Sequence, residues 1–261
     1  MRTDRRPATV SPLLAVLAGA AMAVAVSACS GATTDAPAPA APPGVAAERF
    51  PKPERPVAGI ISDQWSSENS RERVGEAGKV MDLLGVRAGM AVADIGAGAG
   101  YYVGRLSRRV GPEGRVFAQD VERKYLDRLR QRVSRERLGN VSVVLGEPHD
   151  PRLPPRSVDL ALLVHMYHEI AQPFGLLANL APAMKPGGRV AILDVDGPVQ
   201  GHGTPRALLS CELAAAGYRE AAWRWIEGRS VYLAVFEPPA EPPEPERIAP
   251  CGGGGGGGGA R

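Results

Sequence analysis

Apolar residues recur along the chain with two different spacings between about residues 57 and 237. Short apolar runs, typical of buried strands, alternate with longer segments whose apolar residues recur at helical intervals. Strands are predicted over residues 90–93, 115–119, 141–145, 158–164, 189–193, 218–226 and 231–236. Helices are predicted over residues 67–84, 101–110, 121–138, 174–184 and 205–216. Strands that alternate with helices indicate an α/β fold with a largely parallel sheet covered on both faces.

The last two predicted strands differ from the others because residues 227–230 are their only connection. Four residues are too few for the crossover that joins parallel strands, so this pair must form an antiparallel hairpin. The prediction is a Rossmann-like, doubly wound sheet of seven mostly parallel strands that closes with an antiparallel hairpin.

The composition of both ends differs from that of the centre. Residues 29–56 are dominated by Ala and Pro, and residues 238–261 pass from a Pro/Glu run to eight consecutive glycines. Such segments cannot bury enough apolar surface to offset the entropy of ordering them, so both are expected to be disordered. The predicted domain spans 57–237, a size that supports a single core.

The net charge of +3 is small, and arginines are interleaved with acidic residues. Aromatic residues are few, and no basic stripe carries them. The sequence therefore gives no specific signal for nucleic acid.

Residues 1–28 have the features of a signal peptide. Arg2, Arg5 and Arg6 precede an apolar stretch over 13–26 that is shorter than the roughly 20 residues a membrane span needs. The end of the stretch, Val-Ser-Ala-Cys at 26–29, resembles the lipobox of bacterial lipoproteins. That resemblance implies a lipid on Cys29 and a location in the cell envelope, anchored to a membrane. If the true start lies downstream, the protein is instead cytoplasmic.

The other two cysteines suggest no disulfide. Cys211 lies in an amphipathic helical pattern and is interpreted as a small buried apolar residue, whereas Cys251 lies in the predicted tail. No C-x-x-C motif indicates a metal or redox site.

The strongest chemical signal is Asp94-Ile-Gly96-Ala-Gly98-Ala-Gly100, where a strand gives way to a helix. Glycines at this place let the backbone approach a ligand, which then faces a helix N-terminus. In the dinucleotide pattern G-x-G-x-x-G the third glycine would fall at position 101, which is Tyr101, so the register is wrong for a pyrophosphate. A tight turn that binds nothing is the alternative interpretation.

This loop resembles motif I of the class I S-adenosylmethionine-dependent methyltransferases, an acidic residue followed by G-x-G-x-G. The resemblance implies S-adenosyl-L-methionine as cofactor, bound through Asp94, Gly96, Gly98 and Gly100, and methyl transfer to an acceptor, expected to be a small molecule. Two alternatives stay open: a non-catalytic module that keeps this fold, and, less favoured, a nicotinamide-dependent oxidoreductase.

Two further acids extend the predicted cofactor site. Asp120 ends the second strand 20 residues after Gly100, where Rossmann-like folds place an acid that accepts hydrogen bonds from ribose hydroxyls. The methyltransferase resemblance implies a polar contact to the adenine amino group from the loop after strand three, with Asp150 as first candidate and Glu147 as competitor.

Residues 164–169 resemble a Val-Asp-x-Tyr-His-Glu segment of a bacterial methyltransferase subgroup, with His165 in place of its acid. His168 is the best candidate for a general base, and Tyr167 is the second. His168 could equally cap a helix or pack under the cofactor. Two histidines and a glutamate within five residues make a zinc site possible. However, the order H-x-x-H-E fits no zinc-protease motif and lies at a strand end, so metal catalysis ranks below methyl transfer and no metal ligand is predicted.

The family resemblance also implies that the leading helix, with Trp65 and Arg71, lies over the cofactor pocket. One of Tyr101 and Tyr102 is expected to cover the methionine end of the cofactor while the other fills the core.

Overall fold

A seven-stranded sheet runs through the centre of the computed structural model. The strands are β1 (Ala91–Ile95), β2 (Arg115–Asp120), β3 (Val141–Leu145), β4 (Val158–Val164), β5 (Met184–Val195), β6 (Arg219–Glu227) and β7 (Val231–Glu237). Their order is β3-β2-β1-β4-β5-β7-β6. The first five strands pair in parallel, and β7 is antiparallel to both β5 and β6. The predicted fold class, including the closing hairpin, is confirmed.

The structure describes residues 41–60, 68–228 and 230–252 together with Met1. The predicted signal peptide after Met1, the candidate lipid site Cys29 and Trp65 lie outside these residues. None of the described helices has an apolar stretch long enough to span a bilayer.

Six α-helices accompany the sheet in the described part of the chain. They are α1 (Glu68–Arg73), α2 (Glu76–Leu83), α3 (Tyr101–Val110), α4 (Arg123–Glu136), α5 (Pro173–Leu180) and α6 (Arg206–Ala215). The single helix predicted over 67–84 is divided into α1 and α2 at Gly75, whose φ of +63° is not helical. Glycine adopts this left-handed conformation without the steric cost that a Cβ imposes.

Apolar side chains cover both faces of the central strands, as expected for parallel strands. All five residues of β1 are buried. One core cluster joins one face of the sheet to α5 and α6, through residues such as Leu177, Leu213 and Ile192. The second joins the other face to α2, α3 and α4, through Val80 and Leu106 among others. The sheet edge that carries the site is thus held by two independent cores.

The segment before the domain is packed rather than disordered over its described part, which corrects the expectation for residues 41–56. Phe50 is buried against Phe174 and Ile248. Arg55 is only 8% exposed, and its Nε donates to the buried Glu212 carboxylate at 2.9 Å. Phe50 and Arg55 therefore help to anchor a stretch whose composition indicates a linker.

The segment after β7 is also ordered as far as residue 252, and its cysteine is paired. Cys251 forms a disulfide with Cys211 across 40 residues, and Ile248 and Pro245 are buried. The expectations of an unpaired Cys211 and of a disordered tail from residue 238 are therefore wrong for this stretch. Because Cys251 lies in an irregular segment, no repeating pattern in the sequence predicts that it lies beside Cys211 of α6.

Candidate active site

A cavity of about 540 Å³ opens at the carboxyl ends of β1, β2 and β4. It lies where the strand order reverses from β1 to β4, the place at which open α/β sheets bind ligands. The volume is within the range of small-molecule sites. Its wall includes the glycine loop, Asp120, the loop after β3 and the residues that follow β4.

The glycine loop between β1 and α3 adopts backbone angles that favour glycine. The φ values are +71° at Gly96, +54° at Gly98 and +89° at Gly100. A Cβ at Gly96 would lie 2.9 Å from the Met166 side chain, and one at Gly100 would lie 2.6 Å from Leu129. The loop can therefore lie against the cavity, with the N-terminus of α3 behind it, only if these positions lack side chains.

Two carboxylates lie beside this loop, at the ends of β1 and β2. Oδ2 of Asp120 accepts the Gly98 N–H at 2.8 Å, and Oδ1 accepts the Glu122 N–H at 2.9 Å. Burial raises the pKa of Asp120 despite these bonds. Asp94 is 3% exposed and lies beneath the loop. Burial raises its pKa to about 7, with Arg71 opposing the shift and Asp120 adding to it.

The loop after β3 places its two acids differently from the first-choice expectation. Glu147 and Pro148 line the cavity, whereas Asp150 is not among the lining residues. The Asp150 carboxylate accepts the N–H groups of Gly44 and Arg152, both at 2.8 Å. Asp150 therefore holds the N-terminal segment to the domain, and Glu147 is the acid that faces the cavity.

Arg71 connects the leading helices to the cavity, as the family resemblance implies. Its Cζ lies 4.1 Å from the ring centroid of Tyr101 and 5.3 Å from that of Tyr102. Its guanidinium also donates to Glu76 at 2.6 Å, and Glu76 lies 3.3 Å from Nε2 of His165. Burial raises the pKa of Glu76, but the hydrogen bond from His165 and the charge of Arg71 outweigh it and lower the pKa to about 2. Of the two tyrosines, Tyr101 lines the cavity.

His168 lines the cavity in the turn that follows β4 and is backed by a buried carboxylate. Its Nδ1 lies 3.1 Å from both carboxylate oxygens of Asp194. Asp194 also accepts the hydroxyl of Thr204 at 2.7 Å and the N–H of Val195 at 2.9 Å. A carboxylate accepts hydrogen bonds, so Asp194 favours the tautomer with the ring proton on Nδ1; in the neutral imidazole of that tautomer the lone pair is on Nε2.

Tyr167, the second candidate base, is not at the cavity. The side chain is fully buried, with the Cζ of Arg55 5.6 Å from its ring centroid. Burial raises the pKa of its hydroxyl well above the ordinary value, and the charge of Glu212 adds to the rise. The predicted catalytic role of Tyr167 is corrected accordingly, because its hydroxyl is in the core and cannot contact a ligand in the cavity.

The site contains residues that the sequence did not single out. Asp194 and Glu76 contact predicted residues, and His202 lines the cavity, while Thr204 contacts Asp194 behind them. One signal was available for Asp194: it is a polar residue at the carboxyl end of β5, next to β4 in the sheet. Nothing in the local sequence marks His202, which lies in a turn before α6.

Residues 92–188 match the model of a protein family described as a methyltransferase domain. A ubiquinone/menaquinone biosynthesis C-methyltransferase of Idiomarina loihiensis is 33% identical over 123 residues, which are 46% of this chain and 48% of the relative. A crystal structure of a SAM dependent methyltransferase from Aquifex aeolicus superposes with a TM-score of 0.60 and 29% identity, over 64% of this chain and 92% of that one. The chain is therefore similar in sequence and fold to class I S-adenosylmethionine-dependent methyltransferases.

The chain spans a third to a half of the length of the curated relatives it matches, 33% of one and 48% of another. The [4+2]-cyclase SpnF shares the fold, with a TM-score of 0.58 and 14% identity over 67% of this chain and 84% of that one. The fold alone therefore does not determine the reaction.

Proposed function

We propose that this protein transfers a methyl group from S-adenosyl-L-methionine to a small-molecule acceptor. The glycine loop is the observation that carries the proposal. Its three positive φ values and the lack of space for a Cβ at Gly96 and Gly100 keep backbone, rather than side chains, against the cavity. The similarity of residues 92–188 to methyltransferase domains supports the same cofactor.

The residues around the loop fit an adenosyl ligand. Each oxygen of Asp120 accepts one backbone N–H, and a carboxylate oxygen has a second lone pair for a ribose hydroxyl. Glu147 takes the place of Asp150 as the candidate contact to the adenine amino group, because Glu147 lines the cavity. Asp120 and Glu147 thus offer hydrogen-bond acceptors to a ligand whose ribose hydroxyls and adenine amino group are donors.

Methyl transfer requires little chemistry from the protein itself. When bound, S-adenosyl-L-methionine supplies a methyl group that its sulfonium already activates. The residues of the chain align the two reactants and exclude water. Tyr101 and Arg71 close one side of the cavity, between the glycine loop and the leading helices.

The acceptor is proposed to lie at the His168 end of the cavity. Met166, Ile170 and Leu176 give this wall an apolar surface, and the His168 imidazole provides a polar group in it. That arrangement suits a compact, mostly apolar acceptor with one group that carries a proton. A lone pair on Nε2 is what a general base needs, so the predicted role of His168 stays a prediction that the Asp194 contact supports.

Label transfer tests the activity. The full chain is incubated with methyl-labelled S-adenosylmethionine and the small-molecule fraction of a bacterial lysate. Wild type is expected to release S-adenosylhomocysteine and label one fraction, and Asp120→Asn to lose this. Asp127→Asn is the control, because Asp127 is exposed on α4 and pairs with Arg130. Binding of S-adenosylhomocysteine without any transfer would favour the non-catalytic module.

We also propose that the domain is exported and anchored through a lipid on Cys29. The Cys211–Cys251 disulfide supports export, because disulfides persist mainly in oxidising compartments. Labelled fatty acid is expected to enter the wild type and the Cys211→Ser/Cys251→Ser variant, but not Cys29→Ala. Equal labelling of Cys29→Ala and wild type would contradict this proposal.

A further inference from the structure

We propose that His168, Glu169 and His202 bind a first-row divalent metal ion in the wall of the cavity. One ligating atom from each of the three side chains lies within 4.8 Å of the others. His168 and Glu169 belong to the 3-10 turn that follows β4, and His202 follows a second turn, Val199–Gly201. The fold thus brings two imidazoles and a carboxylate together from segments more than 30 residues apart.

His168 is oriented as metal-binding histidines usually are. Such histidines donate their other ring N–H to a carboxylate, which fixes the tautomer and makes the ligating nitrogen more basic. Asp194 occupies this second position: it is fully buried, and its oxygens lie 3.1 Å from Nδ1 of His168. The hydroxyl of Thr204 fixes Asp194 in turn. Nε2 is then the nitrogen that carries the lone pair.

His202 is held beside His168 by an uncommon backbone conformation. Its φ is +57°, which is unfavourable for a residue with a Cβ. The N–H of His202 donates to the Val199 carbonyl at 3.0 Å, which closes the turn. The two imidazole rings meet edge to face, with centroids 5.5 Å apart and an interplanar angle of 84°. Backbone strain of this kind concentrates at functional sites.

The set of donors determines the class of ion. Two imidazoles and one carboxylate suit Zn²⁺, Co²⁺ or Fe²⁺ better than Ca²⁺ or Mg²⁺, which prefer oxygen ligands. Bonds of about 2.1 Å put ligating atoms no more than about 4.2 Å apart, a separation that small side-chain rotations can reach from within 4.8 Å. An ion bound to Nε2 would occupy the lone pair that a general base needs, so this site and a general-base role for His168 exclude each other. The nearby ligating atoms of Glu169 and His202 favour the metal site.

An ion at this place would have unfilled positions toward the cavity, because all three side chains line it. An oxygen or nitrogen atom of a ligand could occupy such a position. Metal binding is measured without S-adenosylmethionine, so a failure of the metal site and a failure of the proposed methyl transfer are distinguishable.

Cobalt titration tests the site. The metal-stripped full chain is titrated with Co²⁺ while its visible absorption is recorded, and Zn²⁺ is then added as competitor. We expect one equivalent to bind, with absorption bands of low-symmetry nitrogen and oxygen coordination that Zn²⁺ removes. Asp194→Asn is expected to lower the affinity about 10- to 100-fold. Loss of the ligand in His202→Ala should lower it at least as much.

His149→Ala is the matched control, since His149 belongs to the loop after β3 and is not part of the cluster. His202 lies in a surface turn, so His202→Ala should fold and still tests the metal site if His168→Ala does not fold. S-adenosylhomocysteine binding and circular dichroism report whether each variant is folded. The proposal is overturned if wild type shows no saturable site, or if folded His202→Ala binds Co²⁺ as tightly as wild type.

Discussion

The two ends of the cavity are built from different parts of the chain. The glycine-loop end consists of Asp94 to Gly100 together with Asp120, and it depends on backbone conformation at two neighbouring strand ends. The histidine end consists of His168, Asp194 and His202, supported by Arg55, and it depends on side chains from four separate segments. The first depends on one short loop and the end of the neighbouring strand, whereas the second depends on side chains from segments far apart in the sequence.

The largest expected effect is on the histidine end, through Arg55. Its guanidinium donates to the carbonyls of Tyr167 and Ile170 at 3.4 and 3.3 Å, and so supports the turn that carries His168. Arg55→Gln leaves Glu212 buried without its cation, which should cost about 3–5 kcal/mol of unfolding free energy. Urea denaturation measures this loss. In the folded variant, cobalt affinity should fall while S-adenosylhomocysteine affinity stays the same.

A paired replacement serves as the control for Arg55. Arg55→Met with Glu212→Leu removes both charges and should recover most of the lost stability, since apolar pairs often replace buried ion pairs without cost. Equal loss in the single and paired variants would contradict the electrostatic explanation.

Reduction of the Cys211–Cys251 disulfide should have the next largest effect. Closing a loop of 40 residues stabilises a fold by about 4 kcal/mol in the chain-entropy account. Cys211 is next to Glu212 in α6, so the loss should loosen the histidine end before the glycine loop. Hydrogen exchange with and without reductant measures the difference. Unchanged exchange over α6 and residues 238–252 would contradict it.

A substitution in the glycine loop should have a smaller effect, at the other end. Gly100→Ala places a Cβ 2.6 Å from Leu129 at a φ of +89°, which should cost about 2–3 kcal/mol and weaken S-adenosylhomocysteine binding. Gly75→Ala is the matched control, because Gly75 has the same left-handed conformation as Gly100 (φ +63° and ψ 32°, against +89° and 33°) but its Cβ would have no neighbour within 4 Å. It should cost about 1 kcal/mol and leave binding intact. Equal effects on binding would show that backbone strain, and not the close contact with Leu129, weakens S-adenosylhomocysteine binding.

The smallest effect concerns the pH dependence of cofactor binding. With a pKa of about 7, Asp94 is mostly neutral at pH 6 and mostly ionised at pH 8, with Arg71 and Asp120 as its charged neighbours. If the cationic ligand favours the carboxylate, affinity should rise about tenfold from pH 6 to pH 8. Calorimetry should show this dependence in wild type and a weaker one in Asp94→Asn. The same change of affinity with pH in both proteins would show that Asp94 does not cause it.

The same contrast explains what the sequence could predict. The succession of strands and helices along the chain, the closing hairpin and the position of the glycine loop follow from apolar periodicity and from connection lengths, which are local. Asp120 could be placed because the end of β2 lies beside the end of β1 in any parallel sheet of this kind.

Contacts between distant segments could not be predicted. Asp150 is in the loop that the resemblance implies, but the N–H of Gly44, 106 residues away, binds its carboxylate. Tyr167 adjoins His168 in sequence, yet points into the core. Cys251 and His202 have partners that only the folded chain brings near. A local sequence pattern thus identifies the glycine loop, whereas the cluster around His168 becomes visible only in the tertiary structure.

Binding of the methyl donor by the glycine-loop end is the central claim. Its most direct test is calorimetric titration of the full chain with S-adenosylmethionine, S-adenosylhomocysteine and NADH, using wild type, Asp120→Asn and Asp127→Asn. We expect saturable binding of the two adenosyl ligands but not of NADH, lost in Asp120→Asn and kept in Asp127→Asn. Absence of binding by folded wild type, or equal binding by Asp120→Asn, would contradict it.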